Sequence, residues 1–445
     1  MQNVSVKLIE KAIYEMCMTS NLYLPTDVYE KIKTAADEDR QNEFILKNAF
    51  VAAQNKRPLC QDTGQVVVFL TVGQDVHFTD GNLRDSINKA VSKCYKDNYF
   101  RKSVVFDALN NRSNTQDNTP AVIHYDIVDG ETVEIKIMIK GGGSENVTQT
   151  KMMMPTSAKE QIYETVIQMV KLAGKNACPP VFVGIGFGQT LENAVVLSKK
   201  AIIDGNYNEE LYNLLNKNIE IGLKKPVLDA RILSESTHIA SMPMAVSILC
   251  HSNRYNSCVI KNNKIVYTTD LAKPEDINVN FDGVKICAQD KEAVKSVLKG
   301  QKVLLSGKIL TARDQAHKKI IELLKNGQNL PFNLKNSVIF YAGPCPSMPN
   351  EISGPIGPTT SKRMDAFAID LYEQGVIATV GKGDRNERVM NYLKCSDKKY
   401  FELQGGIASY IANCVKSSEI RAFEDFGAEA VYELEVEDLP LVCVE

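Results

Sequence analysis

The segment KRPLCQDTG, residues 56–64, crowds reactive groups together: a thiol, an amide, a carboxylate and a glycine fall between Cys60 and Gly64. A proline before the cysteine favours an extended or turn backbone, and Gly64 leads into the apolar run 66–70. We therefore predict that these groups lie on a loop that feeds a buried strand, a common place for catalytic residues. On this segment alone, a surface turn with an incidental cysteine is an equally good interpretation.

Two further cysteines lie at the edges of apolar runs. Cys178 is followed by two prolines and the run 181–186, which repeats the arrangement at Cys60, and Cys250 closes the run 244–249. His238 lies in the segment THIAS, twelve residues before Cys250. A lone histidine is more often an ordinary hydrogen-bonded residue than a catalyst, but two of the five histidines in the chain, His238 and His251, lie within fourteen residues of this loop-edge cysteine.

Most of the other cysteines are predicted to be core residues. The chain has 11 cysteines, an odd number, and no CxxC pair, which argues against a disulfide framework. Cys94 is an example, because it shares one face of a predicted helix with the apolar residues at 83, 87, 90 and 91. Free cysteine is among the residue types most often buried, so packing explains these positions.

Two other segments could bind an anion. The three glycines of KGGGSEN, residues 140–146, let the backbone approach a ligand and present N–H groups to it, although a flexible tip is nearly as good an interpretation. Arg101 could also bind an anion, but its local sequence fits a surface arginine better. The glycine-rich run 184–188 does not match a dinucleotide-binding fingerprint, because Gln189 stands where glycine or alanine is required.

Hydroxyl and basic residues are concentrated late in the chain. Thr359, Thr360 and Ser361 follow a loop rich in glycine and proline, and we predict that they head a helix that ends near Gly375. Free N–H groups and the positive end of the helix dipole would favour a bound carboxylate at that point. Arg363 follows directly, and Lys382 lies on a second glycine-rich loop.

Hydrophobic periodicity predicts the elements that must position these residues. We expect amphipathic helices over 5–18, 83–94 and 162–170, and another from Thr190 to about Ile203. Alternating apolar residues over 123–127 and 133–139, with a turn at Asp129 and Gly130, predict a β-hairpin. The charged, irregular stretch 272–300 marks a domain boundary, so we expect domains over 1–275 and 295–445.

The composition narrows the class of protein. The chain has 445 residues, of which 44% are hydrophobic and 24% charged, and this fits a globular protein of about three domains or two large ones. A net charge of -2 gives no reason to expect nucleic acid or an anionic membrane as a partner. Because the sequence contains no apolar run of about 18 residues, we predict a cytoplasmic protein that acts on small molecules.

The motifs resemble, as a set, those of the class I, iron-sulfur-dependent fumarate hydratases and the related L-tartrate dehydratases. The matching runs are KRPLCQDTG, KGGGSEN, CPP before a glycine-rich strand, THIAS, TARDQAH, GPTTSKRMDA and GKG. In some members of that family the two parts are separate α and β subunits, whereas here they look fused. The resemblance implies an α/β, two-domain hydro-lyase, with an N-terminal α/β cluster-binding domain and a smaller, swivelling C-terminal β/α domain.

The resemblance also implies a cofactor and a site. A 4Fe-4S cluster would be held by Cys60, Cys178 and Cys250, and three thiolates would leave one iron open as a Lewis acid. Arginine and lysine in the site suit a C4 dicarboxylate substrate, since arginine binds carboxylates with two parallel hydrogen bonds. The residues that would line the substrate are Gln61, Asp62, Arg101, Gly143, His238, Arg313, Thr360, Arg363 and Lys382.

The catalytic residues implied by the resemblance are Thr359 as the base, with Asp62 as its partner, and His238. A hydroxyl is a poor base, so Thr359 would have to pass its proton to Asp62 or be stabilised at the helix N-terminus. Because these two residues belong to different predicted domains, we expect the active site to form only when the domains close on each other. A homodimer is also implied.

Three functions are compatible with this site. The leading hypothesis is reversible hydration of fumarate to (S)-malate. The second is the same chemistry on L-tartrate or mesaconate, because one added hydroxyl or methyl group is distinguished by pocket details that motifs do not show. The third, an iron-sensing binding protein, is less favoured, since sensing does not require Asp62, His238 and Thr359.

Overall fold

The computed structural model describes residues 2–445, and these form two units that divide between Ile277 and Asn278. Each unit packs helices against β-sheets, so the predicted α/β class is confirmed. No helix among the described residues is both long enough and apolar enough to cross a lipid bilayer.

Unit 1 contains three sheets, and two of these carry the helices. Its helices are α1 (Val6–Leu22), α2 (Thr26–Glu38), α3 (Glu43–Asn55), α4 (Leu83–Asp97), α5 (Gly142–Glu145), α6 (Lys159–Ala173), α7 (Leu191–Asp204) and α8 (Glu209–Asn218). Its strands are β1 (Gln2–Ser5), β2 (Gln65–Gly73), β3 (Val76–Thr79), β4 (Val122–Val128), β5 (Val133–Lys140), β6 (Gln149–Met153), β7 (Val181–Gln189), β8 (Asn206–Tyr207), β9 (Val227–Thr237), β10 (Met242–Cys250), β11 (Arg254–Lys261) and β12 (Lys264–Tyr267). The strand orders are β12-β11-β5-β2-β4 and β6-β10-β7-β9-β8, while β1 pairs with β3.

Each large sheet of unit 1 has its own core. Helices α1 and α4 bury the apolar faces that periodicity predicted, including Ile13 and Val91, against Val68 and Ile137 of the first sheet. On the second sheet, α6 and α8 pack against β7 and β10. The first sheet thus positions the Cys60 loop, which precedes β2, and the second positions Cys178 and Cys250, which flank β7 and β10.

The predicted β-hairpin is wrong. Strands β4 and β5 do not pair with each other, because β2 lies between them, parallel to β4 and antiparallel to β5. The turn at residues 128–132 instead wraps around the end of β2, where Gly73 N–H donates to Thr132 O at 2.8 Å. The physical reason is that β2 is apolar along residues 66–70 and is buried, so it takes the central position and pairs on both edges.

Unit 2 is one mixed sheet with helices packed against it. The helices are α9 (Lys291–Ser296), α10 (Asp314–Lys325), α11 (Asp365–Glu373), α12 (Glu387–Lys394) and α13 (Ala408–Cys414). The strands are β13 (Val284–Cys287), β14 (Lys302–Thr311), β15 (Val338–Phe340), β16 (Ala378–Gly381), β17 (Lys399–Glu402), β18 (Val415–Ala422) and β19 (Val431–Cys443). Strands β13 to β17 run parallel in that order, and β19 pairs with both β17 and β14, which closes a ring of strands.

The glycines of the run 184–188 serve packing. Gly184 and Gly186 lie inside the buried strand β7, directly beneath α7. A Cβ atom on Gly186 would lie 2.2 Å from Ala194 O and 2.5 Å from Ser198 N, both in the backbone of α7. Only glycine lets this helix approach the strand so closely.

This close approach makes a prediction about stability. Gly186→Ala should lower the free energy of unfolding of unit 1 by about 1–3 kcal/mol, because the added methyl group forces α7 away from β7. Gly222→Asn is the matched control, since no heavy atom lies within 4 Å of the added Cβ and asparagine tolerates the left-handed backbone there. Urea unfolding measures both variants, and equal stability of the two would contradict the packing argument.

Candidate functional site

The loop from Cys60 to Gly64 is held from several sides by hydrogen bonds. The carbonyl groups of the loop and of Leu59 accept hydrogen bonds from buried side chains, and the Thr63 hydroxyl donates to a neighbouring segment. These bonds run from Asn48 Nδ2 to Leu59 O (2.9 Å), from Tyr95 Oη to Thr63 O (2.5 Å), from Asn118 Nδ2 to Gly64 O (3.0 Å) and from Thr63 Oγ1 to Arg101 O (2.7 Å). Cys60 itself is only 8% exposed, so the interpretation of this segment as a surface turn is wrong.

Asp62 is oriented by two backbone N–H groups. Its Oδ1 accepts from Gly64 N at 3.0 Å, and its Oδ2 accepts from Gly142 N at 2.8 Å. The anion that the glycine segment binds in this structure is therefore a carboxylate of the protein itself. The bond also brings Gly143, which follows in α5, beside Gln61 and Asp62, while the Thr63 bond brings Arg101 to the same loop.

Cys178 and Cys250 lie at the same end of the second sheet. Cys250 ends β10 opposite Val181, the first residue of β7, and Cys178 lies three residues before Val181. His251 connects the two loops, since its Nδ1 lies 3.1 Å from Cys178 O. Both of these cysteines are partly exposed.

Cys60 lies within electrostatic range of Cys250. Burial raises the pKa of the Cys60 thiol to about 12; the Arg254 guanidinium opposes this rise and the Cys250 thiol adds to it. Lys140, which pairs with Gln65 just after the Cys60 loop, donates through Nζ to Ile248 O, two residues before Cys250. The loops of the three cysteines therefore meet in unit 1, even though 190 positions of sequence separate Cys60 from Cys250.

Two buried cations beside these loops were missed by the sequence analysis. Lys140, at the end of β5, is 3% exposed; its Nζ donates to Ile248 O at 2.8 Å and lies 3.7 Å from Glu145 Oε2. Burial lowers the pKa of Lys140 to about 8, although Glu145 opposes this. Arg254 begins β11 and is 2% exposed. The sequence offered one signal for each residue: Lys140 stands next to the glycine run, and Arg254 follows Cys250 by four residues.

The donor set fits an iron-sulfur cluster better than a single metal ion. Among residues 2–445, no group of three or more histidine, cysteine, aspartate or glutamate side chains is arranged to hold one ion. A 4Fe-4S cluster places each thiolate on a different iron, so its ligands need not converge on one point. Three thiols from separate loops, with buried cations beside them, could hold such a group.

The structure does not bring His238 to the three cysteines within unit 1. His238 follows β9, where Thr237 pairs with Gln189, whereas Cys250 pairs with Val181 at the other end of β7. Eight strand residues separate these ends, which corresponds to ~26 Å. His238 is exposed, and its Nδ1 accepts from Ala240 N at 3.1 Å.

In unit 2, Thr359, Thr360 and Lys382 come together at the carboxyl ends of parallel strands. Thr359 N–H donates to Tyr341 O at 2.7 Å, just after β15, and Lys382 N–H donates to Thr359 O at 3.2 Å, just after β16. Thr360 and Lys382 form a parallel bridge. This edge is where ligands commonly bind in sheets with parallel strands.

The prediction that Thr359, Thr360 and Ser361 stand at the start of a helical segment is confirmed, because Thr360 is the N-cap of a 3-10 turn that leads directly into α11. The predicted free N–H groups are wrong for Thr359 and Ser361, whose N–H groups donate to backbone carbonyls. Helix α11 begins later, at Asp365, after a 3-10 turn over Ser361–Met364. Ser361 is buried, its N–H donates to Lys382 O at 2.9 Å, and its hydroxyl accepts from Tyr400 Oη at 2.9 Å. The bridge to Lys382 captures these backbone groups before the helix begins.

The two arginines assigned to substrate carboxylates lie together at the start of α10, and each contacts a carboxylate of the protein. Arg363 binds Asp314 through two nitrogens, with Nε 3.1 Å from Oδ1 and Nη2 in close contact with Oδ2. Arg313 is buried, and its Nη2 lies 3.4 Å from Glu429 Oε1. The fork of Arg363 that would bind a dicarboxylate is occupied by Asp314 in this structure.

A buried histidine lies beneath this edge. His317 of α10 is fully buried, its Nδ1 lies 2.7 Å from Arg313 O, and its ring contacts those of Tyr341 and Phe367. Burial lowers its pKa to about 4, although the Arg313 carbonyl opposes this. His317 is therefore neutral in the folded state near neutral pH, and it supports the residue that precedes α10.

Comparison with known proteins identifies relatives for both units. The family model described as fumarate hydratase (Fumerase) matches residues 10–259, and the one described as fumarase C-terminus matches residues 257–445. The chain is similar to fumarate hydratase 2 of Leishmania major, with 30% identity over 456 residues that cover 92% of this chain and 79% of the relative.

Two other relatives differ in how much of the chain they cover. The aerobic class I fumarate hydratase of Escherichia coli strain K12 is 28% identical over 439 residues, which cover 89% of this chain and 79% of the relative. The putative L(+)-tartrate dehydratase subunit alpha of Methanocaldococcus jannaschii is 30% identical over 271 residues, which cover 55% of this chain and 95% of the relative. One relative thus matches both units, whereas the other is a subunit that matches about half of the chain.

The depressed pKa of His317 predicts a pH-dependent loss of stability in unit 2. An unfolded histidine titrates near pH 6.5, so the stability associated with neutral His317 should be complete above that pH and fall by roughly 3 kcal/mol as the pH drops to about 4. His317→Gln should be less stable at pH 7 and lose less between pH 6.5 and 4. Hydrogen exchange of α10 peptides during urea unfolding measures this.

The control for this prediction is His77→Gln, because His77 is exposed on β3. It should lose as much α10 protection as the wild type over the same pH range. If the wild type and His317→Gln lost stability in parallel, the protonation of His317 would not be the cause.

Proposed function

The chain belongs to the fumarate hydratase family, and from that premise we propose that it is a hydro-lyase that interconverts fumarate and (S)-malate. The single observation that carries the proposal is the meeting of the Cys60, Cys178 and Cys250 loops beside Asp62, whose carboxylate is fixed by two N–H groups. An enzyme accounts for this set better than an iron-sensing protein, which needs no oriented carboxylate.

We assign the cofactor to unit 1. Cys60, Cys178 and Cys250 would hold a 4Fe-4S cluster, and the partial exposure of Cys178 and Cys250 leaves that side open to small molecules. When bound, such a cluster with one iron lacking a protein ligand supplies a Lewis acid for the hydroxyl and carboxylate of the substrate. Gln61 lies on the Cys60 loop, and Arg101 and Gly143 lie on segments hydrogen-bonded to it, so these three residues would contact the substrate there.

We assign the proton transfer to Asp62 and Thr359. Hydration adds hydroxide to one alkene carbon and a proton to the other, so the reverse reaction needs a group that removes a proton from carbon. Gly64 and Gly142 hold both oxygens of Asp62 in fixed directions, so the carboxylate is oriented before the substrate binds. The backbone of Thr359 is held by hydrogen bonds to Tyr341 and Lys382. Its hydroxyl would take the proton from the substrate carbon and pass it to Asp62.

We assign carboxylate binding in unit 2 to Arg313, Thr360, Arg363 and Lys382. Thr360 and Lys382 are neighbours at the carboxyl ends of β15 and β16, where their side chains can reach a ligand. Arg363 would bind a substrate carboxylate only by sharing or replacing its bond to Asp314. The Arg363 side chain is 47% exposed, so its pair with Asp314 is a surface ion pair that a substrate carboxylate can replace at little cost.

The role of His238 stays a prediction from the resemblance, since its position in unit 1 gives that role no support. Homodimeric assembly and a cytoplasmic location are likewise proposals.

A second candidate substrate is L-tartrate, because the relative from Methanocaldococcus jannaschii is named for that acid and matches 55% of this chain. Mesaconate hydration is a third possibility of the same chemistry. Activity of the anaerobically reconstituted protein on fumarate, mesaconate and L-tartrate, measured in parallel, distinguishes the three. A reconstituted protein with no activity on any of them would contradict the proposed function.

The cysteine assignment predicts which thiols are essential. Replacement of Cys60, Cys178 or Cys250 by serine should remove the visible absorbance of the cluster and reduce hydratase activity by more than about 100-fold, because each thiolate binds a different iron. Cys94→Ala is the matched control, since this buried cysteine packs in the core on α4 and should leave iron content and activity intact. Full iron content in all three serine variants would contradict the assignment.

The proton-transfer assignment predicts non-additive kinetics. Asp62→Asn and Thr359→Val should each lower kcat by about 100-fold or more while the iron content is retained, because each removes one group of a shared transfer. The double variant should be scarcely slower than the slower single variant. If the two losses multiplied instead, Asp62 and Thr359 would act independently, and His238 would become the preferred candidate.

A further inference from the structure

Arg254 is a buried cation without a carboxylate partner. It is among the largest fully buried side chains of the protein and is 2% exposed. Nη1 donates to Asn21 Oδ1 at 3.1 Å, while Nε has no hydrogen-bond partner. Among residues 2–445, no aspartate or glutamate forms an ion pair with it. Buried charges are normally paired, so this arrangement requires an explanation.

Arg385, another buried arginine, shows what Arg254 lacks. Arg385 in unit 2 pairs through Nε with Asp365 Oδ1 at 2.5 Å, and its guanidinium lies between the rings of Tyr341 and Tyr400. Lys140, the second buried cation of unit 1, has Glu145 at 3.7 Å. Unlike Arg385 and Lys140, Arg254 is therefore buried without an ion pair to aspartate or glutamate.

The guanidinium of Arg254 lies beneath the Cys60 loop. A Cβ atom built on Gly141 would be 3.1 Å from Asp62 Oδ2 and 3.9 Å from Arg254 Nη2, so both groups surround the same point. Asn21 connects Arg254 to the loop: its side chain binds Arg254, and its backbone carbonyl accepts from the N–H group of Leu59, one residue before Cys60, at 2.8 Å. The anionic groups beside Arg254 are therefore the Asp62 carboxylate and, in the loaded protein, the Cys60 thiolate with the cluster that it binds.

We propose that Arg254 is a positioning residue of the cofactor site, a fixed counter-cation that stabilises the negatively charged cluster and its Cys60 ligand without contacting the substrate. This inference rests on the proposed function, because it requires that the three cysteines hold an iron-sulfur cluster. A cluster ligated by three thiolates carries net negative charge, and reduction adds to it. A cation held nearby in a buried site therefore favours both retention of the cluster and its reduced state.

The test compares charge with packing. Arg254→Met removes the charge but keeps an unbranched apolar side chain, whereas Arg254→Lys keeps the charge. Arg231→Met is the control, because Arg231 is a partly buried arginine of the same unit whose charge is already paired with Asp229 at 2.8 Å. Each full-length protein is reconstituted anaerobically, and its iron content and cluster reduction potential are measured by a redox titration followed by electron paramagnetic resonance.

We expect the cluster of Arg254→Met to be harder to reduce, with the ratio of reduced to oxidised cluster at a fixed potential lowered about tenfold, or about 59 mV for a one-electron couple. Arg254→Lys should keep most of the wild-type potential, and Arg231→Met should match the wild type. A chelator should also remove iron faster from Arg254→Met than from Arg254→Lys. Loss of the cluster from a folded Arg254→Met, with retention in Arg254→Lys, would support the same role.

Several results would overturn the proposal. An unchanged potential in Arg254→Met would show that its charge is not felt by the cluster, and an equal shift in the methionine and lysine variants would indicate packing alone. If Arg254→Met does not fold by circular dichroism, Arg254→Gln, which can keep the bond to Asn21, is measured instead. A wild-type protein that takes up no cluster would overturn the proposed function itself, whereas a loaded wild type with an unaltered variant would overturn only the role of Arg254.

Discussion

The hydrogen bonds that hold the Cys60–Gly64 loop are the constraint on which the site depends. A loop that presents a thiol and a carboxylate has carbonyl groups that must be satisfied, and Asn48, Tyr95 and Asn118 reach it from α3, α4 and the segment before β4. Elements distant in sequence are therefore fixed around one short segment. Catalytic groups on a loop are precise only when the loop is supported in this way.

The charges of unit 1 follow from this arrangement. The loops that carry Cys60, Cys178 and Cys250 meet where Lys140 and Arg254 are buried, so positive charge lies beside three potential thiolates. Asp62 is kept in place by backbone N–H groups from Gly64 and Gly142. These backbone N–H groups fix the direction of both carboxylate oxygens.

In unit 2, the arginines assigned to substrate binding are paired with carboxylates of the protein itself. The parallel strands of this unit bring Arg313, Thr359 and Lys382 to one edge, and Arg363 is kept in a bidentate pair with Asp314. The backbone bridge between Thr360 and Lys382 sets the positions of both residues, because it joins the ends of two neighbouring strands. Buried aromatic residues and His317 support this edge from below.

The sequence by itself determined the α/β class, the helices at α1, α4, α6 and α7, the strands that follow Gly64 and Pro180, and the family, because these depend on local periodicity and on contiguous motifs. Strand pairing was decided only by the tertiary structure, since β2 is an apolar strand that takes its place between β4 and β5 although they adjoin in the chain. Capture of the Thr359–Ser361 backbone by Lys382, the pairing of Arg363 with Asp314, and the distance of His238 from the cysteines were decided in the same way. The burial of Arg254 also depends on the tertiary structure, because the local sequence around an arginine does not show whether solvent or a folded core will surround it. These features arise from contacts between residues far apart in sequence, and hydrophobic pattern and motif spacing carry no information about which distant groups will meet.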